Sequence, residues 1–350
     1  MVTQATNAEW LALTVEEPLE PDLPICDPHH HLWDLRPARL APRYLLDEIL
    51  EDVQSGHNVV STVFIECASM FKPAGPEAMR PVGETEFVNG IAAMSASGHY
   101  GPARIAAGIV GTADLQLGDA VAAVLDAHLV AGGGRFRGIR LGATWDPSDA
   151  VPNHRTNPPK GLLLRKDFRA GFAHLAPRQL TFEAWCYHHQ IPEVSDLARA
   201  FPDTTIILDH CGGPIGIGPY AGKGDEVFAQ WRAHVTELAT CPNVVAKVGG
   251  LQMEVNGYGW QMKPRPPTSQ ALVDATRPYY EYLLERFGAE RCMFESNFPV
   301  DKVSCSYTVL WNAFKRLTSS YSADEKAKLF HDTAARIYRL DRPTSPRKTA

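Results

Sequence analysis

The chain has 350 residues, 45% hydrophobic and 21% charged, which excludes a disordered segment, a coiled coil or a collagen-like repeat. That length holds two average domains or one large α/β barrel. A net charge of −6, with no basic block to displace counterions from phosphates, argues against a nucleic-acid partner.

The seven cysteines are scattered and form no C-x-x-C pair, the usage of a reduced cytosolic protein. Residues 1–24 lack the basic start and apolar run of a secretory signal. No apolar stretch reaches the roughly 18 residues that a membrane span needs. A cytoplasmic protein without a membrane partner is expected, and a homo-oligomer is left open.

Short β-branched runs alternate with helix-periodic stretches along the chain. The strand-like runs are Ile25–His31, Val59–Glu66, Arg104–Val110, Phe136–Leu141, Leu180–Tyr187, Thr204–His210, Asn243–Val248 and Cys292–Asn297. The helix-like stretches that follow them are Tyr44–Ser55, Glu84–Ser97, Asp119–Ala131, Asp167–Leu175, Ile191–Phe201, Glu226–Ala239, Gln270–Phe287 and Ala323–Tyr338. Eight such alternations predict a single (β/α)₈ TIM barrel over residues 25–340, with a lead-in at 1–24 and a loose tail at 341–350. An open doubly wound sheet would carry a glycine fingerprint after its first strand, and three histidines stand there instead. Gly132–Gly134 reads as a helix-ending turn, and Gly216–Gly224 as a loop at the barrel mouth or on the plain surface.

The first strand ends in Asp27-Pro28-His29-His30-His31. Side chains alternate along a strand, so His29 and His31 share a face and can approach one divalent ion together. The fifth run ends in Trp185-Cys186-Tyr187-His188-His189, the sixth in Asp209-His210-Cys211-Gly212-Gly213-Pro214, the eighth in Glu295-Ser296-Asn297-Phe298-Pro299. Histidines from three strand ends converging on one rim of a barrel suggest an active site, since barrel enzymes place theirs there.

The D-x-H-x-H opening, the L-D-H-x-G-G-P of the sixth strand and the S-x-x-P of the eighth resemble the amidohydrolase superfamily, from about Pro24 to Arg339. The likeness is to the amidohydrolase-2 branch, which includes dicarboxylate lactonases and, more distantly, metal-dependent decarboxylases. It implies a (β/α)₈ barrel with a hydrolytic site at the C-terminal rim. It implies that His29, His31 and His188 bind a divalent ion, zinc or manganese, with His189 competing for the last place. His210 would then polarise or protonate substrate. Asn297 falls where the family carries an aspartate.

A carboxamide cannot take a proton at neutral pH, so another group must activate water. Glu66 and Glu295 are the candidates, with Asp301 in the loop beyond. Lactonases of this branch can work without metal, a role that would suit Arg140 and Lys247 as carbonyl or carboxylate partners. Trp185 and Tyr187, with Met70, Met253 and Trp260, would line the pocket. The expected activity is hydrolysis of a lactone, ester or amide of a small molecule. The alternatives are decarboxylation or C–C cleavage of an aromatic or ring-fission acid, and a degenerate barrel that only binds a ligand.

Overall fold

Each β-branched run pairs in parallel with the next, as short strands joined by helical crossovers must. The computed structural model describes residues 7–36 and 41–340; the tail at 341–350 lies outside the described residues. The strands are β1 (Ile25–His30), β2 (Val59–Ile65), β3 (Arg104–Gly111), β4 (Phe136–Arg140), β5 (Thr181–Ala184), β6 (Ile206–Leu208), β7 (Val244–Val248) and β8 (Cys292–Phe294). They form one eight-stranded sheet in the order of the sequence. The sheet curls into a (β/α)₈ barrel, and its seam is sealed just past β8. There the Asn297 N–H donates to His29 O at 2.9 Å and the His31 N–H to Phe298 O at 2.8 Å. Ring closure itself therefore brings the first-strand histidines beside Asn297.

Inward-facing positions divide the barrel interior into two layers. The lower is apolar and contains Cys26, Val63, Ile65, Val110, Ile207, Val245 and Met293. Two residues further along three of the same strands, at the same parity, stand Asp209, Lys247 and Glu295. All three are fully buried. A barrel usually fills such layers with branched aliphatics; here the upper layer is ionic. From below, Tyr338 enters the barrel and its hydroxyl donates to Glu183 Oε1 at 2.6 Å.

Three expected strands stop two or more residues before the C-terminal ends of their sequence runs. Trp185–Tyr187, Asp209–His210 and Glu295–Asn297 lie past the last paired residues of β5, β6 and β8. His210, Cys211 and Asn297 adopt φ of 51°, 56° and 55°, a left-handed conformation that breaks the ladder and re-aims side chains at the mouth. The expected helix Ala323–Tyr338 is interrupted, with a π-turn at Lys328–Asp332 between Ala323–Ala327 and Thr333–Ile337. A further helix, Tyr307–Leu317, was not expected; Ser306 caps it by accepting from the Val309 N–H. Among the described residues no helix is long and apolar enough to cross a membrane.

Candidate active site

The strand-end loops surround a cavity of about 530 Å³. Its walls carry guanidiniums (Arg36, Arg140, Arg155), imidazoles (His31, His154, His210) and aromatic rings (Trp33, Trp185, Tyr187). Cationic walls with flat apolar faces suit an oxygen-rich anion or a molecule that becomes one. Of the residues expected in the pocket, Arg140, Trp185, Tyr187, His210, Met253 and Asn297 line it, and Met70, Trp260 and Lys247 do not.

Glu295 lies beneath the cavity and organises two imidazoles. Its Oε1 sits 2.8 Å from His210 Nδ1, and its Oε2 sits 2.8 Å from His29 Nδ1. The His210 backbone N–H also donates to Oε1, at 3.1 Å. Burial pushes this carboxyl up, but the His210 and His29 rings outweigh it and hold the acid well below its ordinary range. The close approach needs bare backbone: at Gly250, with φ of 70°, a Cβ would fall 2.3 Å from His210 Nδ1.

His29 faces a cation from each ring nitrogen. Arg140 Nη1 lies 3.3 Å from Nε2, and a guanidinium can only donate. Nδ1 lies 3.1 Å from the Lys247 ammonium, which likewise only donates, and 2.8 Å from Glu295 Oε2. Burial, reinforced by the nearby Lys247 ammonium, lowers the His29 pKa to about 4 and keeps this ring neutral. His210 Nδ1 faces the accepting Glu295 Oε1, which leaves its Nε2 for a molecule in the cavity.

Glu66 is not exposed to the cavity. Arg140 Nε donates to its Oε1 at 2.9 Å, and Arg155 Nη2 donates to its Oε2. Burial raises this acid, but Arg155 and then Arg140 bring it below its ordinary value, so it is a poor proton acceptor. It is the carboxylate that fixes two cavity guanidiniums. Arg155 and Arg36 escaped the sequence reading because their loops have no periodicity to place them.

His31 donates from Nδ1 to Ile65 O at 2.8 Å, and its Nε2 lies 3.3 Å from Asn297 Oδ1. Asn297 Nδ2 donates to Asp301 Oδ1 at 2.8 Å. The amide thus serves Asp301 as a donor, a part that an ionised aspartate at position 297 could not take. Burial pushes Asp301 well above its usual range. His188 is not brought to the first-strand pair. It begins a 3₁₀ turn beyond β5 and packs edge-on against Tyr220 at 5.3 Å, with both ring nitrogens buried. His189 Nε2 lies 3.1 Å from Asp146 Oδ2. Among the described residues, the group able to offer one atom each to an ion is His29, His210 and Glu295, within 4.8 Å of one another.

His30 faces away from this set, with Nε2 2.9 Å from Thr62 Oγ1, and burial lowers its pKa to about 3. Below the ordinary 6.5 the unfolded chain takes a proton that the native ring refuses until about 3. Stability from this residue is thus intact above pH 6.5 and falls by about 1.4 kcal/mol per pH unit below it. Urea unfolding of His30→Gln and wild type at pH 7 and pH 5 should show wild type losing about 2 kcal/mol relative to the variant. Equal losses would mean the native ring is protonated.

Known proteins share this architecture. The amidohydrolase family model matches residues 26–340. The chain is similar to the uncharacterized protein y4mH of Sinorhizobium fredii, 34% identical over 91% of this chain and 99% of that protein. It is similar to an L-fucono-1,5-lactonase of Burkholderia multivorans, 30% identical over 52% of this chain and 58% of the relative. A zinc-bound crystal structure of an amidohydrolase from Burkholderia multivorans superimposes with a TM-score of 0.66 at 27% identity, covering 91% of this chain and 99% of the other. Coverage of this extent, on a barrel whose histidines gather at one rim, means that the chain belongs to the amidohydrolase family and is a hydrolase.

Proposed function

We propose that the chain hydrolyses the lactone of a small polyhydroxylated or carboxylated acid, with His210 as general base. The observation that carries this reading is the Glu295–His210 pair, 2.8 Å apart, with the far side of the imidazole on the cavity. Nε2 takes a proton from water as the water attacks the carbonyl carbon. Glu295 holds the ring in the required tautomer and stabilises the imidazolium. Arg140 keeps guanidinium hydrogens beyond those spent on Glu66 and His29, and these draw charge onto the carbonyl oxygen. When the ring C–O bond breaks, His210 returns its proton to the leaving alkoxide. The product is an open hydroxy acid whose carboxylate matches the arginine-lined wall.

A lactone is preferred to an amide because an alkoxide needs less help from an acid than an amine does, and because the fuconolactonase relative shares the fold and 30% of aligned residues. Lys247 has no direct part, being buried beneath His29. A divalent ion would polarise the carbonyl and acidify water, but its donors do not fit one here. Both His29 nitrogens already face fixed cations, Arg140 at Nε2 and Lys247 at Nδ1.

A pH-indicator assay against aldono-1,4-lactones, aldono-1,5-lactones and pyrone carboxylates tests the proposal. Acid release from at least one class is expected. Turnover of amides or simple esters with every lactone untouched would refute it.

A further inference from the structure

The ionic layer under the site has a consequence for metal use. Lys247 Nζ lies 2.8 Å from Glu183 Oε2, 3.2 Å from Asp209 Oδ1 and 3.1 Å from His29 Nδ1, with no exposure to solvent. Arg140 Nη1 lies 3.3 Å from His29 Nε2 and 3.7 Å from Asp209 Oδ2. Both oxygens of Asp209 are buried without a well-directed hydrogen bond. Charge alone meets them: Lys247 at 3.2 Å and Arg140 at 3.7 Å. We infer that Lys247, with Arg140, takes the electrostatic place of a divalent ion in this barrel, and that the chain is built to exclude one.

Charge balance supports the inference. Arg140, Arg155 and Lys247 face Glu66, Asp209 and Glu295, while burial pushes Glu183, which also accepts from Tyr338, toward its neutral form. Two of these cations, Arg140 and Lys247, are buried among the carboxyl groups. A divalent ion added to this set would stand uncompensated beside two fixed cations. It would also have to take His29 Nε2 from Arg140 or His29 Nδ1 from Lys247. Remove the ammonium, and Asp209 Oδ1, Glu183 Oε2 and His29 Nδ1 surround the vacated space. Carboxylates and an imidazole are donors of the kind zinc takes.

The test reads metal rather than turnover, so it stands or falls separately from the lactone reading. Untagged wild type, Lys247→Met and Lys247→Arg are saturated with zinc chloride, desalted and analysed for zinc by mass spectrometry. Circular dichroism checks that each is folded. Wild type and Lys247→Arg should retain far less than one zinc per chain, and Lys247→Met a full equivalent. A full equivalent on wild type overturns the inference, whatever happens to the variants. A folded Lys247→Met that takes up no zinc overturns the claim that the ammonium is what keeps the ion out.

Discussion

Replacing His210 with Asn should lower kcat by about 10²–10⁴ and leave KM nearly unchanged, the signature of a lost general base. Asn keeps a polar side chain against Trp185, whose ring stands 4.7 Å from that of His210, but has no basic nitrogen to present to the cavity. Glu295→Gln should follow the same pattern less steeply. An amide can still accept from His210 Nδ1 through its oxygen, but it cannot stabilise the imidazolium formed when water is deprotonated. Combining the two changes should cost little more than His210→Asn alone, because the pair acts as one unit. Steady-state kinetics on whichever lactone the wild type accepts measures all three. Unchanged kcat in His210→Asn would remove the base from this reading.

Glu66→Gln should destabilise the fold by about 3–5 kcal/mol, the usual result of removing one partner from a buried ionic set. The carboxylate accepts from Arg140 Nε and Arg155 Nη2, and the Arg140 Nη2 also donates to its main-chain oxygen. A neutral amide would leave Arg155 without its counter-charge and Arg140 with only the more distant Asp209 Oδ2, at 3.7 Å. Denaturant unfolding measures the loss, and KM should rise as Arg140 and Arg155 drift from the cavity wall. The sequence reading had offered Glu66 as a base. In that role its loss would depress kcat and leave stability nearly intact, so the two accounts separate in a single variant.

The barrel was legible because its strands are buried on both faces and punctuated at regular intervals, which leaves eight short apolar runs that few other folds can use. Strand parity also pointed Glu295 into the barrel one layer below Asn297. What parity could not supply was the neighbour. Nothing local to Glu66 announces that Arg155 will reach it from a loop without periodicity, and nothing local to His188 reveals that Tyr220 will take its ring face. Lys247 and Arg140 read as substrate ligands because both sit on strands near the rim. The structure separates them by a single layer, with Arg140 on the cavity and Lys247 beneath His29. Asn297 looked like a deficit when set beside an aspartate. Beside Asp301 it is the residue whose amide donates to the neighbouring carboxyl.

The tyrosine that enters the barrel from below links the time at which the site matures to the progress of synthesis. His29 leaves the ribosome early and Lys247 much later, yet Glu183, which Lys247 holds, receives its hydroxyl donor only when Tyr338 arrives. Until then Glu183 Oε1 lacks that donor, and the apolar layer lacks the ring that packs into it. A nascent chain can thus curl all eight strands before this last contact forms. A protease that severed the segment from Ala323 to Tyr338 would take the contact away without touching the cavity wall.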